Sequence, residues 1–381
     1  MLPPLAGPEA RIDLAALARN AALIQQKVGT RGVLAVVKWN AYGHGLIPCS
    51  KTLDAAGITG FGVSSPQDGV TLRKAGITKP ILVMTDWVGK PPHLFLDWDL
   101  QAAATSWYKV EYLESVSRTL GRSIPTHIKF DTGLGRVGVH HSEASAALQK
   151  IARMKHLHVV GLYSHLAYGG PQDAEQGRQQ IAIFDQIVRQ AAQLGLNPDW
   201  IHIANSAAAL ALPDVPGNLV RTGIALYGQP PSPQVHNLLP LEPVMTLLGR
   251  VKLVRRVKRG HGFPTTHFWT APLDGWGAEV NLGHRINYAR SLAGKAQVLV
   301  QGTRRPLVGV ITPDTSYVFV AGADRPHIGD EVVFWGRQGG ETLFLFEVAP
   351  LIGALAYELP TWLSARLPRV FQTAPDVAFR A

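Results

Sequence analysis

Between positions 12 and about 240, short apolar segments alternate with helix-like stretches. The segments are residues 33–37, 60–63, 81–84, 126–130, 159–163, 200–204 and 219–225. Apolar runs of this length without polar alternation read as strands covered on both faces. Strands separated by helices pair in parallel through crossovers, which predicts an α/β sheet built from βα units. The intervening stretches start with capping residues, as in Asp13-Leu-Ala-Ala-Leu, Ser65-Pro-Gln-Asp and Ser142-Glu-Ala-Ser. Their side-chain oxygens accept the free N–H groups of a first helical turn. A closed (β/α)8 barrel and an open doubly wound sheet both satisfy this pattern.

After Gln229-Pro-Pro-Ser-Pro the texture changes to strand candidates separated by Gly and Pro turns, at 251–257, 296–300, 307–311, 317–320, 331–334 and 342–346. Residues 1–240 are therefore expected to form the α/β domain and residues 241–381 a mostly β domain. A chain of 381 residues, 46% hydrophobic and 17% charged, is long and apolar enough for two cores. Its single cysteine, Cys49, cannot form an intramolecular disulfide and reads as a small packing residue. The N-terminus lacks a basic region followed by a long apolar core, and no apolar run approaches the roughly 18 residues of a membrane span. A cytoplasmic protein with no membrane partner is expected. The net charge of +10 is spread out except in Arg250-Val-Lys-Leu-Val-Arg-Arg-Val-Lys-Arg259. That segment alternates like a strand with one basic face and carries no aromatic interleaving, so a solvated face is expected rather than a nucleic-acid site.

The first apolar run ends in chemistry: Val33-Leu-Ala-Val-Val-Lys38-Trp-Asn-Ala-Tyr42-Gly-His-Gly45. Gly43 and Gly45 permit close backbone approach to a ligand. A lysine at the end of a buried strand is where a Schiff-base enzyme keeps its nucleophile. By themselves these residues favour a lysine that simply leaves the strand for water.

The segment resembles the cofactor-lysine signature of the alanine racemases, pyridoxal-phosphate enzymes built on a TIM-type barrel. The resemblance continues in order through Lys129-Phe-Asp-Thr-Gly-Leu-Gly-Arg136, Ser164-His165, His202-Ile-Ala-Asn205-Ser206, Arg221-Thr-Gly223-Ile224, Gly329-Asp-Glu-Val332, Tyr357-Glu358 and Arg366-Leu-Pro-Arg369. It implies a (β/α)8 barrel followed by a β domain that covers the barrel mouth of a partner, in a homodimer with shared active sites. It assigns Lys38 to the cofactor imine and to one acid–base role. Phosphate contacts fall to Tyr42, Ser206, Gly223, Ile224 and Tyr357, with Asn205 beside them. Arg221 is matched to the pyridine nitrogen with His202 behind it, His165 to the ring face, and Arg136 to the phenolic oxygen and the substrate carboxylate. Lys129 matches a lysine that is carbamylated in many relatives. Plainer readings stand beside three of these: Ser206 as the N-cap of Ala207-Ala-Ala-Leu, Arg221 as an ordinary salt-bridge residue, and Lys129 as the ion-pair partner of Asp131.

The resemblance breaks where the second base should be. Racemisation works best with acid–base groups on opposite faces of a planar carbon. The family's second tyrosine falls in Phe263-Pro264-Thr265-Thr266, at Thr265, and its entrance tyrosine falls in Gly283-His284-Arg285-Ile286-Asn287. A methionine–aspartate pair becomes Pro313-Asp314, where Asp314 is the candidate substrate contact, and the alanine after the cofactor lysine becomes Trp39. Because imidazole titrates near neutrality, His284 and His267 are the candidate replacements for the missing phenol, with His261 more distant. The leading expectation is an amino-acid racemase, with alanine the substrate implied by resemblance. Alternatives are a one-base epimerase, aldolase, decarboxylase or lyase on the same scaffold, and a non-catalytic pyridoxal-phosphate binding protein. No metal-type spacing of His, Cys or Asp appears in the C-terminal part.

Overall fold

The structure, a computed structural model, describes residues 6–372 apart from 86, 168–173, 213–214, 232 and 266. Among the described residues, eight parallel strands form the wall of a barrel: Gly32–Val36, Gly60–Val63, Ile81–Val83, Gln101–Ala104, Pro125–Asp131, His158–Tyr163, Trp200–His202 and Leu219–Thr222. The first seven pair each with the next, and Leu219–Thr222 pairs back onto Gly32–Val36 with Arg221 opposite Leu34. The seam between the last two strands is closed by backbone bonds from Asn218 N to Ile201 O and from Arg221 N to Ala204 O, both 3.0 Å. Gly217 makes that approach possible: at φ 107° a Cβ there would stand 2.1 Å from Ile201 O. The sheet is thus a barrel and not an open doubly wound sheet.

Seven of the eight wall strands coincide with apolar runs of the sequence. The eighth, Gln101-Ala-Ala-Ala, carries small side chains of low strand propensity, and only its neighbours on both sides make it a strand. The caps at Asp13 and Ser65 form, with Ala16 N to Asp13 Oδ1 at 2.8 Å and Asp68 N to Ser65 Oγ at 3.2 Å. Ser142 does not cap: it lies within the short turn His141–Glu143 that precedes the helix Ala144–Ile151.

In the second domain the strands Glu331–Gln338, Gln297–Val300, Thr303–Val308, Ser316–Ala321, Gly275–Val280 and Met245–Val257 pair in that order. Met245–Val257 returns to Glu331–Gln338, so these six close on themselves and leave no free edge. Glu9–Asp13 pairs antiparallel with Met245–Val257 and parallel with Arg369–Gln372. The start of the chain, expected with the barrel, is therefore a strand of the β sheet and ties the two domains together. The expected strand at 342–346 stops at Leu343, because Glu347 turns back to accept Phe344 N at 2.9 Å and opens the helix Leu345–Val348. The basic segment at 250–259 lies mainly in the Met245–Val257 strand. Arg250 there is held by Glu9 and Glu331, while Arg255 and Arg256 are exposed. Cys49 is fully buried. Among the described residues no helix is long and apolar enough to cross a membrane.

Candidate active site

Lys38 stands two residues past the strand Gly32–Val36, at the C-terminal mouth where barrels keep their chemistry. The chain then makes a left-handed turn: Trp39, Asn40, Ala41 and Tyr42 have φ of 57°, 57°, 54° and 50°. Each such L-residue costs about 1–2 kcal/mol, so the surroundings must hold the turn. Gly43 N bonds to Trp39 O and Gly45 N to Asn40 O, both at 2.9 Å. Asn40 Oδ1 accepts Leu46 N at 2.7 Å, and His44 Nδ1 sits 3.0 and 2.9 Å from the carbonyls of Ala41 and Tyr42. The close approach at Gly43 is to protein and not to ligand: a Cβ there would lie 2.1 Å from Pro360 O. At Gly45 it would meet the ring of Phe371. The turn aims Lys38 and Tyr42 at one place, with Nζ 5.8 Å from the phenol centroid. Burial, and then the charge of Arg136, lower the pKa of the Lys38 amine and favour its nucleophilic neutral form. Trp39, on the other side of the turn, is 66% exposed.

Arg221 comes from the strand Leu219–Thr222 and is 3% exposed. Nη1 donates to His202 Nδ1 at 3.0 Å and His202 O at 3.1 Å; Nη2 donates to Ser164 O at 2.8 Å, His165 Nδ1 at 3.1 Å and Ile203 O at 3.3 Å. None of these acceptors is a carboxylate, so the salt-bridge reading of Arg221 fails. Burial lowers the guanidinium to about 10, which still leaves it charged at neutral pH. His165 and His202, each beside Arg221, have pKa values well below the usual imidazole range, through burial first and then that positive charge. Both rings are neutral.

The loop carrying Arg136 is built on Asp131. Its carboxylate accepts the N–H groups of Gly133, Leu134, Gly135 and Arg136 at 2.8–3.1 Å. Burial raises the Asp131 pKa, and these four donors outweigh it to give a net lowering. Asp131 is thereby spent on backbone, and no ion pair joins it to Lys129 among the described residues. Lys129 is 5% exposed, with Nζ over the Tyr163 ring at 5.9 Å. Burial, then Arg221 and Arg136, lower its pKa to about 8.

A cavity of about 310 Å³ joins Lys38, Tyr42, Arg136, His165, Asn205, Ser206, Arg221, Gly223, Ile224 and Tyr357, at the lower end of small-ligand sites. Asn205, not Ser206, caps the following helix, with Ala208 N to Oδ1 at 3.1 Å. Ser206 is the first residue of that helix, and its Oγ accepts Gly223 N at 3.0 Å. Gly223 keeps the cradle open, since a Cβ there would stand 2.8 Å from the Tyr42 hydroxyl. These groups fit pyridoxal phosphate: hydroxyl donors for a phosphate, an activated amine for an aldehyde, and a permanent N–H donor facing neutral acceptors.

The remaining sequence candidates lie elsewhere, and none of them lines this cavity. Thr265 and His267 are exposed in a turn of the β domain where Phe268 N bonds to Thr265 O at 3.2 Å; Thr266 lies outside the described residues. His284 is half-buried, with its N–H on Thr312 O at 2.9 Å, and Asp314 pairs with Arg285 at 2.7 Å on the surface. The loop after Thr303–Val308 brings these segments together. A Cβ on Gly309 would meet Pro264, and one on Gly283 would meet the backbone of residues 312–314. The structure therefore groups Thr265, His284 and Asp314 around one end of the β domain, apart from Lys38 of the same chain.

Sequence reading missed three groups behind Arg221: buried Tyr163, stacked on His202 at 4.9 Å, and buried His127 and half-buried Gln101, hydrogen-bonded in line beyond it. Their positions alternate inward along wall strands, which is the one signal that marks them.

Residues 12–231 match the family model of the alanine racemase N-terminal domain, and residues 244–371 that of the alanine racemase C-terminal domain. The alanine racemase of Geobacter sulfurreducens is 36% identical over 369 residues, covering 95% of this chain and 96% of that protein. The alanine racemase structure from Streptomyces lavendulae superposes with a TM-score of 0.89 at 31% identity, over 97% of this chain and 98% of that one. That from Bartonella henselae, with covalently bound pyridoxal phosphate, gives 0.82 at 25% identity, over 96% and 100%. With both halves matched at this coverage, and the barrel-mouth constellation intact, the chain belongs to the alanine racemase family.

Proposed function

We propose that this protein is a pyridoxal-phosphate-dependent racemase that interconverts L- and D-alanine as a homodimer with shared active sites. The observation that carries the reading is the convergence of Lys38, Arg221 and the Tyr42–Ser206–Gly223 cradle on one cavity. When bound, the cofactor supplies the electron sink that makes the Cα proton of an amino acid removable. Tyr42, Ser206 and Tyr357 would hold its phosphate with the Ile224 N–H and the Gly223 N–H, the latter turned from Ser206 Oγ; Lys38 would bind its aldehyde, and His165 would lie against its ring. Arg136 takes the substrate carboxylate. Lys38 Nζ, left unprotonated by burial and by the charge of Arg136, takes or returns the Cα proton on one face. Arg221 remains a donor at working pH and gives up no proton, which keeps the sink weak and the carbanion brief.

The opposite face belongs to the end of the partner's β domain, where Thr265, His267, His284 and Asp314 are placed. Of these, His284 or His267 is the proton carrier in place of the family's tyrosine, and Asp314 a substrate contact. The threonine at 265, whose aliphatic hydroxyl is too weakly acidic to shuttle a proton unaided, favours a second reading, in which Lys38 works alone. Incubation in deuterated water with L- and D-alanine separates the two. Exchange of either enantiomer with inversion is the expected result; exchange of one enantiomer without inversion would establish one-base chemistry.

Lys129, buried and in no ion pair among the described residues, is suited to carbamylation, which turns a repelled cation into an anion beside Arg136. Only the neutral amine reacts with carbon dioxide. With its pKa near 8, incorporation should rise with pH through that value. A carbamate signal in the presence of 13C-bicarbonate, lost in Lys129→Ala, checks this, and its absence at pH 9 would refute it.

A further inference from the structure

We propose that His127 and Gln101 are positioning residues that fix, from inside the barrel, the tautomer His202 presents to Arg221. The proposal rests on one continuous line of hydrogen bonds. Arg221 Nη1 lies 3.0 Å from His202 Nδ1, His202 Nε2 lies 2.9 Å from His127 Nδ1, and His127 Nε2 lies 2.9 Å from Gln101 Oε1. A guanidinium only donates, so His202 Nδ1 must accept. His202 is neutral, so its one proton sits on Nε2 and is given to His127 Nδ1. His127, also neutral with its pKa lowered to about 3 by burial and then by Arg221, carries its proton on Nε2. It donates that proton to the Gln101 carbonyl oxygen. Only this direction satisfies all three contacts; the reverse tautomer of His202 would set its N–H against the Arg221 N–H.

The fold reserves space for this line. Gly161 leaves room for the His127 ring, since a Cβ there would lie 2.1 Å from Nδ1. Tyr163 lies parallel to His202, 4° between planes. Neither His127 nor Gln101 lines the 310 Å³ cavity, so both act through His202 and Arg221. With an acceptor held at His127 Nδ1, His202 presents a lone pair to Arg221, and the guanidinium stays aimed at the site. This inference rests on the racemase reading only for its kinetic consequence.

The test uses holoenzyme labelled with 15N in histidine, and His127→Phe, His127→Asn and Gln101→Leu variants. Ring-nitrogen shifts should show His127 and His202 neutral with the proton on Nε2 at pH 7–8. His127→Phe, which removes the acceptor, should lower kcat about tenfold with little change in KM and shift the His202 ring signals. His127→Asn, whose Oδ1 can stand where Nδ1 stood, should restore both. Gln101→Leu should perturb the His127 signals and kcat more weakly, and it serves if His127→Phe does not fold. The proposal is overturned if wild-type His202 carries its proton on Nδ1, or if folded His127→Phe or Gln101→Leu leaves the histidine signals unchanged. The tautomer assignment is read without turnover, so a failure of the racemase reading would show separately as absent alanine exchange in the wild type.

Discussion

Replacing Lys38 with alanine is expected to lower racemisation by at least about 10⁴-fold, the upper range for one acid–base group, because the same amine is also the nucleophile. The fold should survive. Lys38 is half-buried, its ammonium is disfavoured by burial and by Arg136, and it makes no ion pair among the described residues. Its removal therefore relieves a repulsion and opens little space. Thermal unfolding of Lys38→Ala should match the wild type, while borohydride treatment should no longer attach cofactor to the chain. A variant that still forms a borohydride-reducible chromophore would remove Lys38 from its role.

Why Lys38 was legible, and other groups were not, follows from the range of the forces involved. The wall strands announce themselves because each is covered on both faces and so must be continuously apolar. Gln101–Ala104 and Glu9–Asp13 do not, because their strand character comes from partners distant in sequence: Glu9 pairs with Leu248, and Ala10 with Arg369. In the site, Lys38, Arg136, Ser206 and Arg221 were named from ordered motifs that resemble a family. Their chemistry, however, depends on contacts across the barrel. Asp131, two residues on and so on the same face of the strand, looked like a partner for Lys129, yet the loop claims its carboxylate for four N–H groups. Ser206 looked like a cap, and Asn205 took that place. His127 and Gln101 carry no motif, and only closure of the barrel puts them in line with Arg221. The segments at Thr265 and His284 show the limit from the other side: the chain lets them be named by resemblance, but no contact to Lys38 of the same chain gives them a role.

Arg221→Met is expected to be the most disruptive single change in the cavity wall, and two opposed effects decide its size. The guanidinium has no carboxylate partner, and the drop of its pKa from 12.5 to about 10 corresponds to roughly 3 kcal/mol of cost in burying the charge. Methionine removes that cost. Against it, five hydrogen bonds are lost. The carbonyl of His202 keeps a bond from Ser164 N, but His202 Nδ1 and the carbonyls of Ser164 and Ile203 are left buried with Arg221 gone. Each unpaired buried acceptor costs about 1–3 kcal/mol, so lost bonds outweigh relief and stability should fall by about 2–4 kcal/mol, read as a lower midpoint in denaturant at unchanged slope. Activity should fall by about 10²–10³, the cost of deleting one preorganised donor. Arg221→Lys should recover part of the stability but little of the activity, because an ammonium cannot reproduce the planar fork that spans His202, His165 and Ser164. If Arg221→Met were as stable and as active as the wild type, the line from Arg221 to Gln101 would be packing without a part in catalysis.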